Sequence, residues 1–348
     1  MMAASQPEPR RGDAKLLIVD AAGNIRHAPR AGFVEFLRPG DLVVANDAAT
    51  LPASLGGVHE SSAARIEVRL AGRRSLHSED VREFSAIVFG AGDFHTRTED
   101  RPAPPALTPG DRLTLGPLTA RIVRLLGHAR LALLRFAGSA DSIWAGLARH
   151  GRPIQYAHVP NPLALWDVWT PFAGAPVAFE PPSAGFALDW RTLARFRAGG
   201  IGFAAITHAA GISSTGDPEL DARLPFDEPY RIPEAVAKAI HRSRTAGGRI
   251  VAVGTTVVRA LEHAAASGEL PGEGVATGSI GPHTRLRLVD VILSGAHEPG
   301  SSHYELLRAF APDEALRRMN HELDSHQYLT HEFGDSVLVE RALHYAVV

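Results

Sequence analysis

The sequence predicts an α/β main domain with an inserted small β-barrel-like domain, and three observations carry that prediction. Residues 249–310 alternate buried strand, turn and helix, the pattern of a sheet covered by helices. Residues 61–150 change to short runs of alternating apolar and polar residues separated by Gly, Pro and Asp, the texture of a compact all-β unit. At 348 residues the chain is also longer than one ordinary core supports.

Along the chain, residues 1–13 are polar, with Pro and Arg, and read as a disordered tail. Residues 14–60 open the main domain. KLLIVDAAGNIRHA reads as two strands joined at Gly23-Asn24, and FLRPGDLVVAND as a Pro-Gly turn feeding a buried strand that ends on Asn46-Asp47. The inserted domain follows over 61–150, with TRTEDRPAPPALTPGD as a proline-rich surface loop. The main domain resumes over 151–348.

Proline and glycine interrupt 151–230, where only WRTLARFRAGG has helical texture. IPEAVAKAIHRSRTAGG predicts a helix, with Pro233 at its start, Ala235, Val236, Ala239 and Ile240 on one face, a Glu234–Lys238 pair and a Gly247-Gly248 stop. RIVAVGTTVVRALEHAAASG predicts strand, turn and helix, and RLRLVDVILSG a further strand. SHYELLRAF predicts a helix begun by a capping box of Ser302 and Glu305.

Composition excludes several chemistries. The chain has no cysteine, so disulfides, thiolate metal sites, iron–sulfur clusters and a cysteine nucleophile are ruled out. No run approaches the roughly eighteen apolar residues of a membrane span, and the first residues lack a signal-peptide stretch, so the expected location is cytoplasmic with no membrane partner. A formal net charge of −2 gives no electrostatic support for a nucleic-acid partner, so tRNA is a possible substrate that charge does not favour. No metal is expected. In HELDSH, His321 and His326 are five apart and do not share the helix face that an i, i+4 pair would. IVFGAGD lacks the βαβ context of a dinucleotide loop, and neither a Walker A sequence nor a G-x-S-x-G elbow is present.

Two loops carry candidate chemistry. In VAVGTTVVRALE a strand feeds a helix whose first amides follow Gly254-Thr255-Thr256, a terminus suited to an anion or equally to an ordinary capped turn. In SGAHEPGSS, His297 leaves a buried strand beside Glu298 and Pro299, where α/β folds place ligands.

These residues also carry a resemblance. GRIVAVGTTVVRALEHAA, with Gly254, Thr255, Thr256, Arg259 and Glu262, resembles the signature of the S-adenosylmethionine:tRNA ribosyltransferase-isomerase family of queuosine biosynthesis. LRPGDLVVANDAATLPASL, PPSAGF, DEPYRIPEAVAKAI, LVDVILSGAHEPGSS and FGDSVLV resemble further family segments in the same order. There are departures. Ala48-Ala49 stand where the family has Thr-Arg, Ala187 where it has His, and Gly295-Ala296 and Gly300 where it has Asn-Phe and Lys, while only a displaced His208 stands near its glycine-rich segment.

The resemblance implies transfer of the ribosyl part of S-adenosylmethionine, a co-substrate, to 7-aminomethyl-7-deazaguanine in tRNA, forming epoxyqueuosine. It implies His297 as acid or base, with Glu228 and Asp290 as catalytic partners. Substrate contacts would come from Asn46, Asp47, Ser183, Gly185, Gly254, Thr255, Thr256, Arg259 and Ser301. The departures leave two alternatives: a paralogue using S-adenosylmethionine or a related nucleoside with another, small-molecule acceptor, or a non-catalytic nucleoside- or RNA-binding protein.

Overall fold

The computed structural model of the chain describes residues 1–7 and 13–342. Nine strands build the central sheet: β1 (Lys15–Val19), β2 (Ile25–Pro29), β3 (Leu42–Asn46), β4 (Gly202–His208), β5 (Glu228–Ile232), β6 (Ile250–Val253), β7 (Gly272–Ala276), β8 (Val291–Gly295) and β9 (Ser336–Glu340). Their order is β7-β5-β4-β3-β6-β8-β9-β1-β2. The middle four, β4, β3, β6 and β8, run parallel, so their C-terminal ends share one edge.

Alternation sorts the side chains of these strands. Val44, Ala252 and Ile292 face one apolar core, while Val43, Val251 and Leu293 face another. The first core is closed by helices α3 (Glu234–Thr245), α4 (Thr255–Ser267) and α6 (Asp313–Ser325), the second by α2 (Trp190–Ala198). The predicted helix over 233–248 is α3, where Glu234 and Lys238 pair at 2.7 Å and Val236 and Ile240 are buried.

Between β3 and β4 six antiparallel strands close a barrel: Ser54–His59, Ala64–Gly72, Glu83–Phe89, Arg112–Leu115, Leu118–His128 and Leu131–Phe136. It opens at Ser54 rather than at 61, because Ser54–His59 is hydrogen-bonded to both Ala64–Gly72 and Arg112–Leu115. Helix α1 (Ala140–His150) packs Ile143 and Leu147 into the barrel core.

Three local expectations change. Residues 1–7 are not a loose tail: Met2–Ala3 run parallel to Leu329–Thr330, and Ala4 is buried among Val159, Val168 and Phe333. The rest of that predicted tail, 8–12, lies outside the described residues. The strand expected from Arg285 begins at Val291, because Glu262 draws the amides of Arg287, Leu288 and Val289 onto its carboxylate at 2.6–2.9 Å and away from a ladder. Helix α5 (Ser302–Leu307) is capped by Ser301, whose Oγ accepts from Tyr304 N, while Glu305 binds Arg308 instead of completing a box with Ser302.

Candidate active site

The parallel strands end on one edge, and there a cavity of about 430 Å³ opens, large enough for a nucleoside. Gly254 follows β6 with φ 93°, a conformation that favours glycine, and turns the chain into α4. No side chain caps this helix, so its first amides and positive dipole end point into the cavity beside Thr255 and Thr256.

His297 follows β8 and lines the same cavity, stacked on His303 at 4.5 Å. Gly295 leaves room for this ring, as a Cβ there would meet Nε2 at 3.4 Å. Burial, with His303 and His331 nearby, holds the His297 imidazole well below its ordinary pKa. At neutral pH it is therefore unprotonated, a base or acceptor rather than an acid.

Glu228, on β5, lines the cavity floor. Its Oε1 accepts from Gly211 N at 2.5 Å and its Oε2 from Arg259 Nη1. Burial alone would raise this carboxyl, but Arg259 and His208 outweigh it and keep Glu228 below the ordinary carboxylate range. Arg259 Nη2 is shared among the carbonyls of Phe226, Ala276 and Gly278. The Glu228–Arg259 pair is thus spent on holding the Gly211 loop and β7 to α4.

Seven of the predicted site residues therefore line the cavity beside His297: Glu228, Ser183, Gly254, Thr255, Thr256, Arg259 and Ser301. The hydroxyl of Ser301 is occupied in capping α5 and in donating to Glu298 O at 2.9 Å. Four others stand elsewhere. Asp290 precedes β8, at the opposite edge of the sheet, where it accepts from Ile250 N and pairs with Arg341 at 2.8 Å. Its expected catalytic role is corrected to a structural one, because five residues of extended strand separate it from the cavity edge.

Asn46 stands behind the cavity wall, accepting from His208 N and Ala48 N and donating to His208 O. Asp47 accepts from Thr207 Oγ1 at 2.7 Å, and burial raises its carboxyl. Gly185 is a packing glycine: a Cβ there would meet Thr170 Cγ2 at 2.8 Å. His326 Nδ1 lies 3.2 Å from Glu322, and the His326 ring lies 4.2 Å from that of His27.

The structure adds residues to the site beyond those the sequence predicts as site residues. Glu180 and Glu332 line the cavity with Ser213, His303 and His331, and Tyr156 and His158 stand behind them. His331 has φ 69°, unusual for a residue with a side chain and of the kind found at functional sites. His208, fully buried, holds Thr256 O through Nδ1 at 2.7 Å. The apolar run IGFAAITHAA could have marked β4 and its terminal histidine. Nothing local marks Glu180 beyond a carboxylate set between Phe179 and Pro181.

A cavity at the C-terminal edge of a parallel sheet, lined by shifted titratable groups, is the active-site arrangement of an enzyme of the α/β class. A sequence model of the family described as queuosine biosynthesis protein matches residues 1–339. Curated relatives named S-adenosylmethionine:tRNA ribosyltransferase-isomerase include those of Gloeobacter violaceus, 33% identical over 97% of this chain and 92% of the relative, and Citrifermentans bemidjiense, 32% identical over 97% and 95%. The solved S-adenosylmethionine tRNA ribosyltransferase of Thermotoga maritima shares the fold, with a TM-score of 0.50 and 23% identity over 97% of this chain and 96% of that one. The chain belongs to the queuosine biosynthesis protein family. Among the described residues no helix is long and apolar enough to cross a membrane.

Proposed function

We propose that this chain is a cytoplasmic ribosyltransferase-isomerase that moves the ribosyl moiety of S-adenosylmethionine onto 7-aminomethyl-7-deazaguanine in tRNA, with loss of adenine and methionine. The observation that carries this reading is the convergence, in one nucleoside-sized cavity, of the uncapped α4 terminus and the neutral His297. The amides after Gly254 suit the methionine carboxylate or the ribose hydroxyls. His297 is the base for the acidic hydrogens next to the sulfonium. Arg259 acts through Glu228 rather than on the substrate carboxylate, since its charge is already paired.

A second reading rests on the cavity's own charge. Glu228, Glu298, Glu332 and Asp221 line it, and among the described lining residues Arg259 is the one arginine and is already paired, a poor surface for an RNA backbone and a better one for a cationic or neutral small acceptor. Mass spectrometry of the chain mixed with S-adenosylmethionine, with and without tRNA bearing the aminomethyl base, separates the two. Adenine and methionine release matched by an epoxide-bearing nucleoside in tRNA supports the first. Release that is independent of that tRNA supports the second, and no release would overturn both.

A further inference from the structure

We propose that Glu180 is the proton donor of this cavity, a buried carboxylic acid that delivers its proton to the departing nucleobase, with Tyr156 as its positioning residue. The inference rests on the ribosyl-transfer reading above and adds to it the acid that His297, held neutral, does not supply.

Geometry carries it. Glu180 follows the short strand Pro176–Ala178, which is fixed by Leu51 N donating to Ala178 O at 2.7 Å, and precedes Pro181-Pro182, so its backbone has little freedom. The side chain is 7% exposed yet lines the cavity. Oε2 accepts from Ser213 N at 3.1 Å, and Oε1 meets the Tyr156 hydroxyl, which also lies 3.2 Å from Ser214 O.

This arrangement satisfies both protonation states without moving a heavy atom. With the carboxyl neutral, Oε1–H donates to the Tyr156 oxygen and the phenol turns its own proton to Ser214 O, which only accepts. With the carboxyl ionised, the phenol turns back and donates to Oε1. Glu228, fixed by a guanidinium, has no such second state.

The charges around Glu180 favour the acid form. Glu332 approaches from the loop before β9 and is held ionised, against its own burial, by His158 Nε2 at 3.1 Å. His331 stacks on His158 at 4.4 Å. From the barrel, Arg69 lies over the Tyr156 ring at 5.5 Å, but its Nε is committed to Glu67 at 2.8 Å. Burial and the Glu332 charge together push the Glu180 carboxyl up to about 7, while burial keeps the Tyr156 phenol protonated. A carboxylate pair driven apart in this way is how one site holds an acid at neutral pH.

In the step, the glycosidic C1′–N9 bond breaks, its electron pair passes to the purine, and a lone pair of the ribose ring oxygen fills the vacancy as a C1′=O4′ double bond. The Glu180 proton turns from the Tyr156 oxygen to the purine nitrogen, the phenol turns back to donate to the carboxylate left behind, and that carboxylate regains a proton from solvent before the next turnover.

The test measures adenine release from S-adenosylmethionine by the full chain, in the presence of tRNA bearing the aminomethyl base, across about pH 5.5–9, in wild type, Glu180→Gln and Tyr156→Phe. The wild-type rate should fall on the basic side with a midpoint near 7. Glu180→Gln should lower kcat by about 10²–10³-fold, leave KM nearly unchanged and abolish that limb. Tyr156→Phe should keep measurable turnover but shift the limb. Infrared difference spectra should show a carboxylic C=O band titrating near neutrality that Glu180→Gln lacks. Adenine release by Glu180→Gln with the wild-type rate and profile, or absence of the band from wild type, overturns the donor role alone. A wild type that binds S-adenosylmethionine but releases no adenine overturns the ribosyl-transfer reading, and the donor role with it.

Discussion

His208 Nδ1 donates to the carbonyl oxygen of Thr256 at 2.7 Å, and its Nε2 lies 3.0 Å from Glu228 Oε2. One buried imidazole thereby ties the end of β4 to the first turn of α4 and sets the floor of the cavity. His208→Ala should lower unfolding stability by about 1–3 kcal/mol, as a buried acceptor loses its donor. The denaturant midpoint should fall with an unchanged slope.

Glu228 and Arg259 are both buried and lean on each other. Glu228→Ala leaves a guanidinium uncompensated and should cost about 3–5 kcal/mol. Arg259→Ala should cost a similar amount. In a double-mutant cycle followed by chemical denaturation, the paired change should cost less than the sum of the two. Strict additivity would contradict the pairing.

Two of the shifted groups of the cavity, Glu180 and His297, give opposite pH effects. Glu180, raised from 4.5 to about 7, holds a proton in the folded chain that the unfolded chain has lost, so its stabilisation is full below about 4.5 and gone above about 7. Glu180→Gln should therefore be more stable than wild type at pH 8, with the gap closing toward pH 5. His297 is lowered from 6.5, so unfolding takes up a proton below that pH and stability falls as pH drops. His297→Gln should reduce that acid-side loss, to which His303 and His331, also lowered by burial, contribute the remainder, and thermal unfolding across the range would read the difference.

Gly254→Ala forces a side chain into φ 93°, at a strain of about 1–3 kcal/mol, and tilts the α4 amides. Calorimetric titration should show weaker S-adenosylmethionine binding. Unchanged affinity would remove the α4 terminus from the site.

Asp290→Ala breaks contacts to Ile250 N and Arg341 at the far edge of the sheet. It should lower the melting temperature and leave kcat within about two-fold, whereas a catalytic carboxylate would cost about 10²-fold or more.

The parts of the site legible in the sequence are those where a strand hands directly to a loop or helix. Gly254-Thr255-Thr256 and His297 sit at such junctions, and period and turn chemistry place them without any partner. Asp290 was misplaced because it adjoins the same strand as His297 at the wrong end, and an extended strand separates its two ends by its own length. Arg259 was legible as a cation near an anion site, but its partner Glu228 comes from another strand and takes that charge.

Residues 151–230 were opaque for a related reason. Proline and glycine remove the periodic signal there, and this segment supplies Glu180, His208 and Ser213. By itself the sequence determined the α/β alternation, the inserted β unit, the α4 junction and the family resemblance, because each is written in local spacing. Only the tertiary structure decided which carboxylates are paired, which stay protonated and which face the cavity. Those properties depend on burial and on charges brought from distant segments, such as Glu332 and Tyr156 against Glu180, and no local pattern encodes them.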